Sequence, residues 1–134
     1  MTYYLDSNIP IFVLRGVKEG LAEKIDSFYD EDIKVPSVVV AELIEGACLS
    51  GDTQRNMEQT LKFLEPYETV PFDEDAAIVC GKISAELTKK GRKIGYNDIM
   101  IAATVISRNG VLVTNNTKDF SRIEDLRSED WTEI

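Results

Sequence analysis

The chain has 134 residues, 43% of them hydrophobic and 29% charged, an ordinary balance for one soluble globular domain over 1–134 with a real core. It contains no histidine, which excludes Ser-His and Cys-His catalysis and His-ligated zinc, and no stretch nears the ~20 apolar residues of a membrane span. Its formal net charge of −9 argues against broad, non-specific coating of nucleic acid but leaves room for an acidic, cation-binding pocket.

The N-terminus lacks the basic segment and apolar run of a secretory signal, so a cytoplasmic protein is expected. YYLD (3–6) reads as a short buried strand; a helix follows, which Ser7 or Asn8 can cap and whose first turn suits Pro10. Leu21, Ile25, Phe28 and Tyr29 mark the next helix, and EDIKVP (31–36) a second strand. Val40, Leu43, Ile44 and Ala47 then recur at i, i+3, i+4 and i+7, which predicts a helix despite three consecutive valines. Met57, Leu61 and Leu64 mark a helix that stops before Pro66, and YETVPF (67–72) is a third strand candidate. The strongest helical stripe is Ala76, Val79, Cys80, Ile83 and Leu87, with Asp73 as N-cap. Ile99, Ala102, Ala103 and Ile106 mark another helix, entered through Asn97. GVLVTN (110–115) is a fourth strand, of the continuous apolar kind found inside parallel sheets. Cys48 and Cys80 both fall on apolar helical faces and are expected to be buried free thiols.

Strands alternating with helices predict an α/β fold, a three-layer sandwich with a mostly parallel central sheet. In such sheets ligands bind beyond the carboxyl ends of the strands. That rule selects Asp6 at the end of the first strand and Thr114-Asn115-Asn116 after the fourth. Glu42, Asp98 and Asp119 stand where a loop meets an element. Each acid also has a plain structural reading. In that reading Asp6 serves the helix start, Glu42 a solvated face shared with Glu45, Asp98 the helix dipole, and Asp119 a turn. The acids at 73–75 are assigned to capping.

Four stretches taken in order narrow the choice: YYLDSN, PSVVVAELIEGA, IGYNDIMIAATVISRNGVLVTNNTKDFSRI and a closing Asp-Trp. Together they span nearly the whole chain, which resembles PIN-domain ribonucleases of the VapC type, the toxins of type II toxin–antitoxin pairs. The resemblance implies that Asp6, Glu42 and Asp98 are the three principal acids. It implies Asp119 as a fourth, with Asn116 the neutral alternative at that place. It further implies hydrolysis of an RNA phosphodiester (transfer RNA by analogy), a homodimer, and a cognate antitoxin partner.

The chemistry is consistent with the residue types. Mg²⁺ or Mn²⁺ prefers carboxylate and water oxygens, which a histidine-free site supplies. Two bare carboxylates ~4 Å apart repel by about 4 kcal/mol at an effective dielectric of 20, so converging acids need a cation or a proton between them. Asp6 and Asp98 are expected as main metal ligands, with Glu42 binding directly or through water. Ser7, Asn8, Thr114 and Asn116 would fix the carboxylate rotamers. The basic run Lys89, Lys90, Arg92 and Lys93 reads either as a helix C-terminus stopped by Gly91 or as a phosphate contact. Two other readings stand beside the toxin: a non-catalytic PIN-fold interaction module, and a PIN nuclease acting in RNA processing or on DNA. A phosphate-accepting acidic domain ranks lower, because Asn8 occupies the place of its second aspartate.

Overall fold

A computed structural model describes residues 1–133. The five strands are β1 (Tyr3–Leu5), β2 (Ile33–Pro36), β3 (Glu68–Val70), β4 (Val111–Val113) and β5 (Ser128–Glu129). They lie in the order β3-β2-β1-β4-β5, and every neighbouring pair is parallel. Helices cover both faces: α1 (Asn8–Arg15), α2 (Leu21–Asp26), α3 (Ser37–Leu49), α4 (Thr53–Leu64), α5 (Glu74–Lys89), α6 (Tyr96–Ser107) and the short α7 (Thr117–Phe120). No helix among the described residues is long and apolar enough to cross a membrane.

Strand alternation divides the core in two. Tyr4, Val35 and Leu112 face the larger cluster with Val39 and Leu43 of α3, Cys80 and Leu87 of α5, and Ile99 to Val105 of α6. Leu5, Ile33 and Val113 face the other way, against Ile9, Leu21, Ile25 and Trp131. Successive side chains on a strand point to opposite faces, so each central strand serves both layers and reads as continuously apolar. Trp131 closes the smaller core, stacked on Phe28 at 4.7 Å between ring centroids and tilted against Tyr3 at 5.2 Å.

The predicted helix stripes over 40–47, 57–64, 76–87 and 99–106 are all helical. Asp73 caps α5, its Oδ1 accepting from Ala76 N at 3.0 Å while Oδ2 pairs with Arg108 at 3.2 Å. The mostly parallel sheet expected is present, with every neighbouring pair parallel. Several other expectations are corrected. Strand β5 is an additional strand that carries no apolar pattern because both its residues are exposed. It pairs with β4 through backbone bonds, Leu112 N to Arg127 O (2.9 Å) and Thr114 N to Glu129 O (3.0 Å), and its Glu129 Oε1 accepts from Trp131 Nε1 at 3.0 Å. Phe28 and Tyr29 lie beyond α2; Phe28 packs on Tyr3 and Trp131, whereas Tyr29 is exposed. Cys80 is buried, but Cys48 is exposed, one position round the helix from buried Ala47. Helix α6 starts at Tyr96 behind Gly95, which places Asn97 inside it. Neither Ser7 nor Asn8 caps α1 with its side chain.

Candidate active site

Asp6 follows β1 directly, and its backbone N–H still donates to Val113 O of β4 at 2.9 Å. The residue is 4% exposed, and both carboxylate oxygens have partners. Oδ1 accepts from Ser7 N at 2.8 Å, and Oδ2 from the Thr114 hydroxyl at 2.7 Å. Thr114 is fully buried at the end of β4, and its Oγ1 in turn accepts from Asn116 N at 3.0 Å. Asn116 Nδ2 donates to Asp119 Oδ2 at 3.3 Å. One hydrogen-bonded line therefore runs Asp6, Thr114, Asn116, Asp119 along the carboxyl edge of the sheet.

Two more acids come from helices. Asp98 stands in the first turn of α6, and Glu42 lies half-buried in α3. Burial raises the Asp98 carboxyl, and the charges of Asp6 and Asp119 raise it further, to about 6. Glu42 is also raised, first by burial and then by Asp6 and Asp98, while Ser7 and Asn97 draw it back. Asp6 is raised by burial against the opposing hydrogen bonds of Thr114 and Ser7. These shifts tie Asp6, Glu42, Asp98 and Asp119 into one electrostatic group. Ion pairing of the group to a cation among the described residues is limited to a long contact from Arg122 Nη1 to Asp119 Oδ1, 3.9 Å.

Among the described residues two buried side-chain oxygens stay without a partner, Oε1 of Glu42 and Oδ1 of Asn8. Unsatisfied buried acceptors are rare and call for an ion or water. An all-oxygen set of mutually repelling carboxylates suits a hard divalent cation in donor chemistry. As the side chains stand, no three metal-binding groups among the described residues are close enough to form a ready cage. The acids are thus gathered but not drawn together.

The four predicted acids act on one another at the carboxyl edge of the sheet, and Ser7, Thr114 and Asn116 hydrogen-bond to them, whereas Asn8 makes no such bond among the described residues. The basic run is only partly free. Gly91, at φ +67°, ends α5, with Arg92 N donating to Leu87 O at 2.9 Å and Gly91 N to Thr88 O at 3.1 Å. That is the double bond pattern of a glycine-terminated helix. Lys90 is engaged by Glu86 at 2.9 Å and Glu124 at 3.0 Å, whereas Lys89, Arg92 and Lys93 make no ion pair among the described residues. Arg122 went unnoticed in the sequence. It lies beside Asp119 and also donates to Lys93 O at 3.3 Å, joining the basic loop to the acidic edge. An arginine three residues after a helical aspartate was the available signal.

Comparison with known proteins gives a consistent result. Residues 3–126 match the model of the PIN domain. The chain is 36% identical to Ribonuclease VapC1 of Haemophilus influenzae (strain R2866), over 98% of this chain and 99% of that protein. It is also 36% identical to the tRNA(fMet)-specific endonuclease VapC of Shigella flexneri, with the same coverage. Among solved structures, it is similar to VapBC2 from Rickettsia felis bound to a promoter DNA fragment, at a TM-score of 0.92 and 32% identity over 98% of this chain and 99% of that one. DNA-bound VapBC from Salmonella typhimurium is similar at a TM-score of 0.92 and 37% identity, covering 98% of each chain.

Proposed function

The chain belongs to the PIN-domain family, and from that premise we propose that it is a divalent-metal-dependent endoribonuclease, the toxin of a toxin–antitoxin pair. The observation that carries the metal dependence is the meeting of four carboxylates from separate parts of the fold, with the Glu42 Oε1 acceptor left unpartnered. Asp6 and Asp98 would hold Mg²⁺ or Mn²⁺, with Glu42 as a third ligand directly or through water. When bound, the ion polarises the scissile phosphate and lowers the pKa of an attacking water.

The remaining roles belong to the chain. Thr114 and the Ser7 N–H fix both oxygens of Asp6, so that carboxylate enters the reaction in one orientation. Asn116 does the same for Asp119, which completes the acidic edge. Asn8, two residues after Asp6, offers an unpartnered buried amide oxygen as a further acceptor. Lys89, Arg92 and Lys93 contact RNA phosphates; Lys90, held by two glutamates, contributes least. A cognate antitoxin restrains the activity, as the VapBC names of the structural relatives suggest; the active form in this reading is a homodimer in the cytoplasm. Transfer RNA is the first substrate to try, given the name of the Shigella flexneri relative.

The test compares wild type with Asp6→Asn and Asp98→Asn on total tRNA and rRNA, in Mg²⁺, Mn²⁺ or EDTA. Discrete cuts by wild type alone, abolished by EDTA, are expected. Equal cutting by the variants removes the carboxylate mechanism. No cutting by any of them, with antitoxin absent, favours a non-catalytic interaction module.

A further inference from the structure

Beside the acidic edge, between the end of α5 and the start of α6, lies a small recess of about 230 Å³. Leu87, Ile94 and Ile99 give it an apolar lining, and Thr88, Lys93 and Tyr96 contribute polar groups. Tyr96 is a large side chain left 58% exposed, although it opens a helix whose following residues from Ile99 to Val105 are almost all buried. Its phenol lies beside the Cys80 thiol of α5, so the ring rests against the neighbouring helix. Asp98, two residues on, faces away from Tyr96 round the helix, but Arg122 ties the recess to the acidic edge, donating to Lys93 O at 3.3 Å while lying 3.9 Å from Asp119 Oδ1. An aromatic ring, an ammonium with no ion pair among the described residues and an apolar floor thus adjoin the site at which a phosphodiester is to be cut.

We propose that this recess takes an unpaired nucleobase of the RNA next to the cleaved bond, stacked on the Tyr96 ring, while Lys93 meets the adjoining phosphate. The inference rests on the endoribonuclease reading and names a substrate feature that this reading leaves open. Single-stranded RNA is held by this combination of cation and aromatic platform, because every base has a π-face to stack. In a chain of net charge −9, stacking also supplies attraction that does not depend on overall charge. The recess has room for one planar ring system, so it favours an unpaired nucleotide over a base-paired one.

The test measures binding of a short RNA containing the mapped cleavage site, by fluorescence anisotropy, in an Asp6→Asn background that does not cut. Tyr96→Ala is expected to weaken binding by roughly 5- to 100-fold, the range for one stacked base. Tyr96→Trp should retain binding. An RNA made abasic beside the cut should bind the Asp6→Asn parent more weakly, yet lose nothing further when Tyr96→Ala is added. Affinity within twofold of the parent for Tyr96→Ala, with wild type still cleaving, overturns the recess alone. A changed sedimentation coefficient for Tyr96→Ala overturns it too, since the ring would then belong to an interface between copies. If wild type cuts no RNA and the Asp6→Asn parent binds none, the endoribonuclease reading falls and the recess with it.

Discussion

The Thr114 hydroxyl donates to Asp6 Oδ2 at 2.7 Å, joining the ends of two adjacent parallel strands that are 108 residues apart in sequence. Both residues are buried, so the bond is shielded from water and offsets part of the cost of placing a carboxylate there. Thr114→Val keeps the shape and removes the donor. It should cost about 1.5–3 kcal/mol of stability, the range for a hydrogen bond to a charged group. Cleavage should fall on the order of tenfold or more, as when the partner of a metal ligand is lost. Thr114→Ser should restore most of both. A Thr114→Val protein that melts and cuts like wild type would show that the bond does nothing for Asp6.

Asp98 carries a stability cost that has a definite sign. Its carboxyl stands at about 6 in the folded chain against an ordinary value of 3.8. Between those values the folded state binds more protons than the unfolded state, so stability falls as pH rises through this window and levels off above it. The raised Asp6 and Glu42 carboxyls act in the same direction. After discounting for solvent screening, Asp98 alone should be worth on the order of 1–2 kcal/mol. The metal-free protein should therefore melt at a higher temperature at pH 5 than at pH 7.5, and Asp98→Asn should flatten that difference. Equal slopes for the two proteins would refute the assignment.

Much of this site was legible because its residues mark strand and helix ends. Asp6 and Thr114 each follow an apolar run, and sheet topology sends such ends to one edge. Asp98 and Glu42 are less exposed to sequence reasoning, since a helical acid is usually solvated; only the ordered family pattern raised them. What stayed hidden depends on distance in space. The Arg122 contacts to Asp119 and Lys93 O need the chain to fold back, and the unpartnered oxygens of Glu42 and Asn8 are visible only once burial is known. Strand β5 was missed because Ser128 and Glu129 pair with β4 through backbone bonds, with neither side chain buried. Cys48 was misplaced by a single helical step of about 100°.

A divalent ion should remove the repulsion that keeps these carboxyls raised. At saturating Mg²⁺ or Mn²⁺, about 100 times the dissociation constant, the folded state gains about 2.7 kcal/mol. The melting temperature should rise clearly at pH 7.5 and much less at pH 5, where protons compete for the same oxygens. Asp6→Asn and Asp98→Asn should each lose most of this response. Differential scanning fluorimetry with and without EDTA reads it directly. A metal response equal at both pH values would place the ion elsewhere.

Asp119 should matter less than the other acids. It is the member of the group that a cation already approaches, Arg122 Nη1 at 3.9 Å, and it also accepts from Asn116 Nδ2 at 3.3 Å. Asp119→Asn should lower cleavage on the order of tenfold, against a hundredfold or more for Asp6→Asn or Asp98→Asn, if it orients the site while they bind the ion. Arg122→Gln should leave the ranking intact. Cleavage rates at saturating metal decide it, and an Asp119→Asn loss as deep as that of Asp98→Asn would make it a principal ligand.

Gly110 enters β4 at a place where no side chain fits. A Cβ built there runs into the ring of Tyr4 and comes 3.3 Å from Thr2 O. Its backbone needs no left-handed conformation, so the constraint is space alone. Tyr4 is 2% exposed and wedged in the larger core, which leaves its ring little freedom to retreat. Gly110→Ala should therefore destabilise by about 1–3 kcal/mol, the usual cost of overpacking. If the clash is with the ring, the penalty should shrink by at least about 0.5 kcal/mol when Tyr4 is first cut to alanine. Urea denaturation of the two single variants and the double variant tests this. Strict additivity would mean that Thr2 O, and not Tyr4, excludes the side chain.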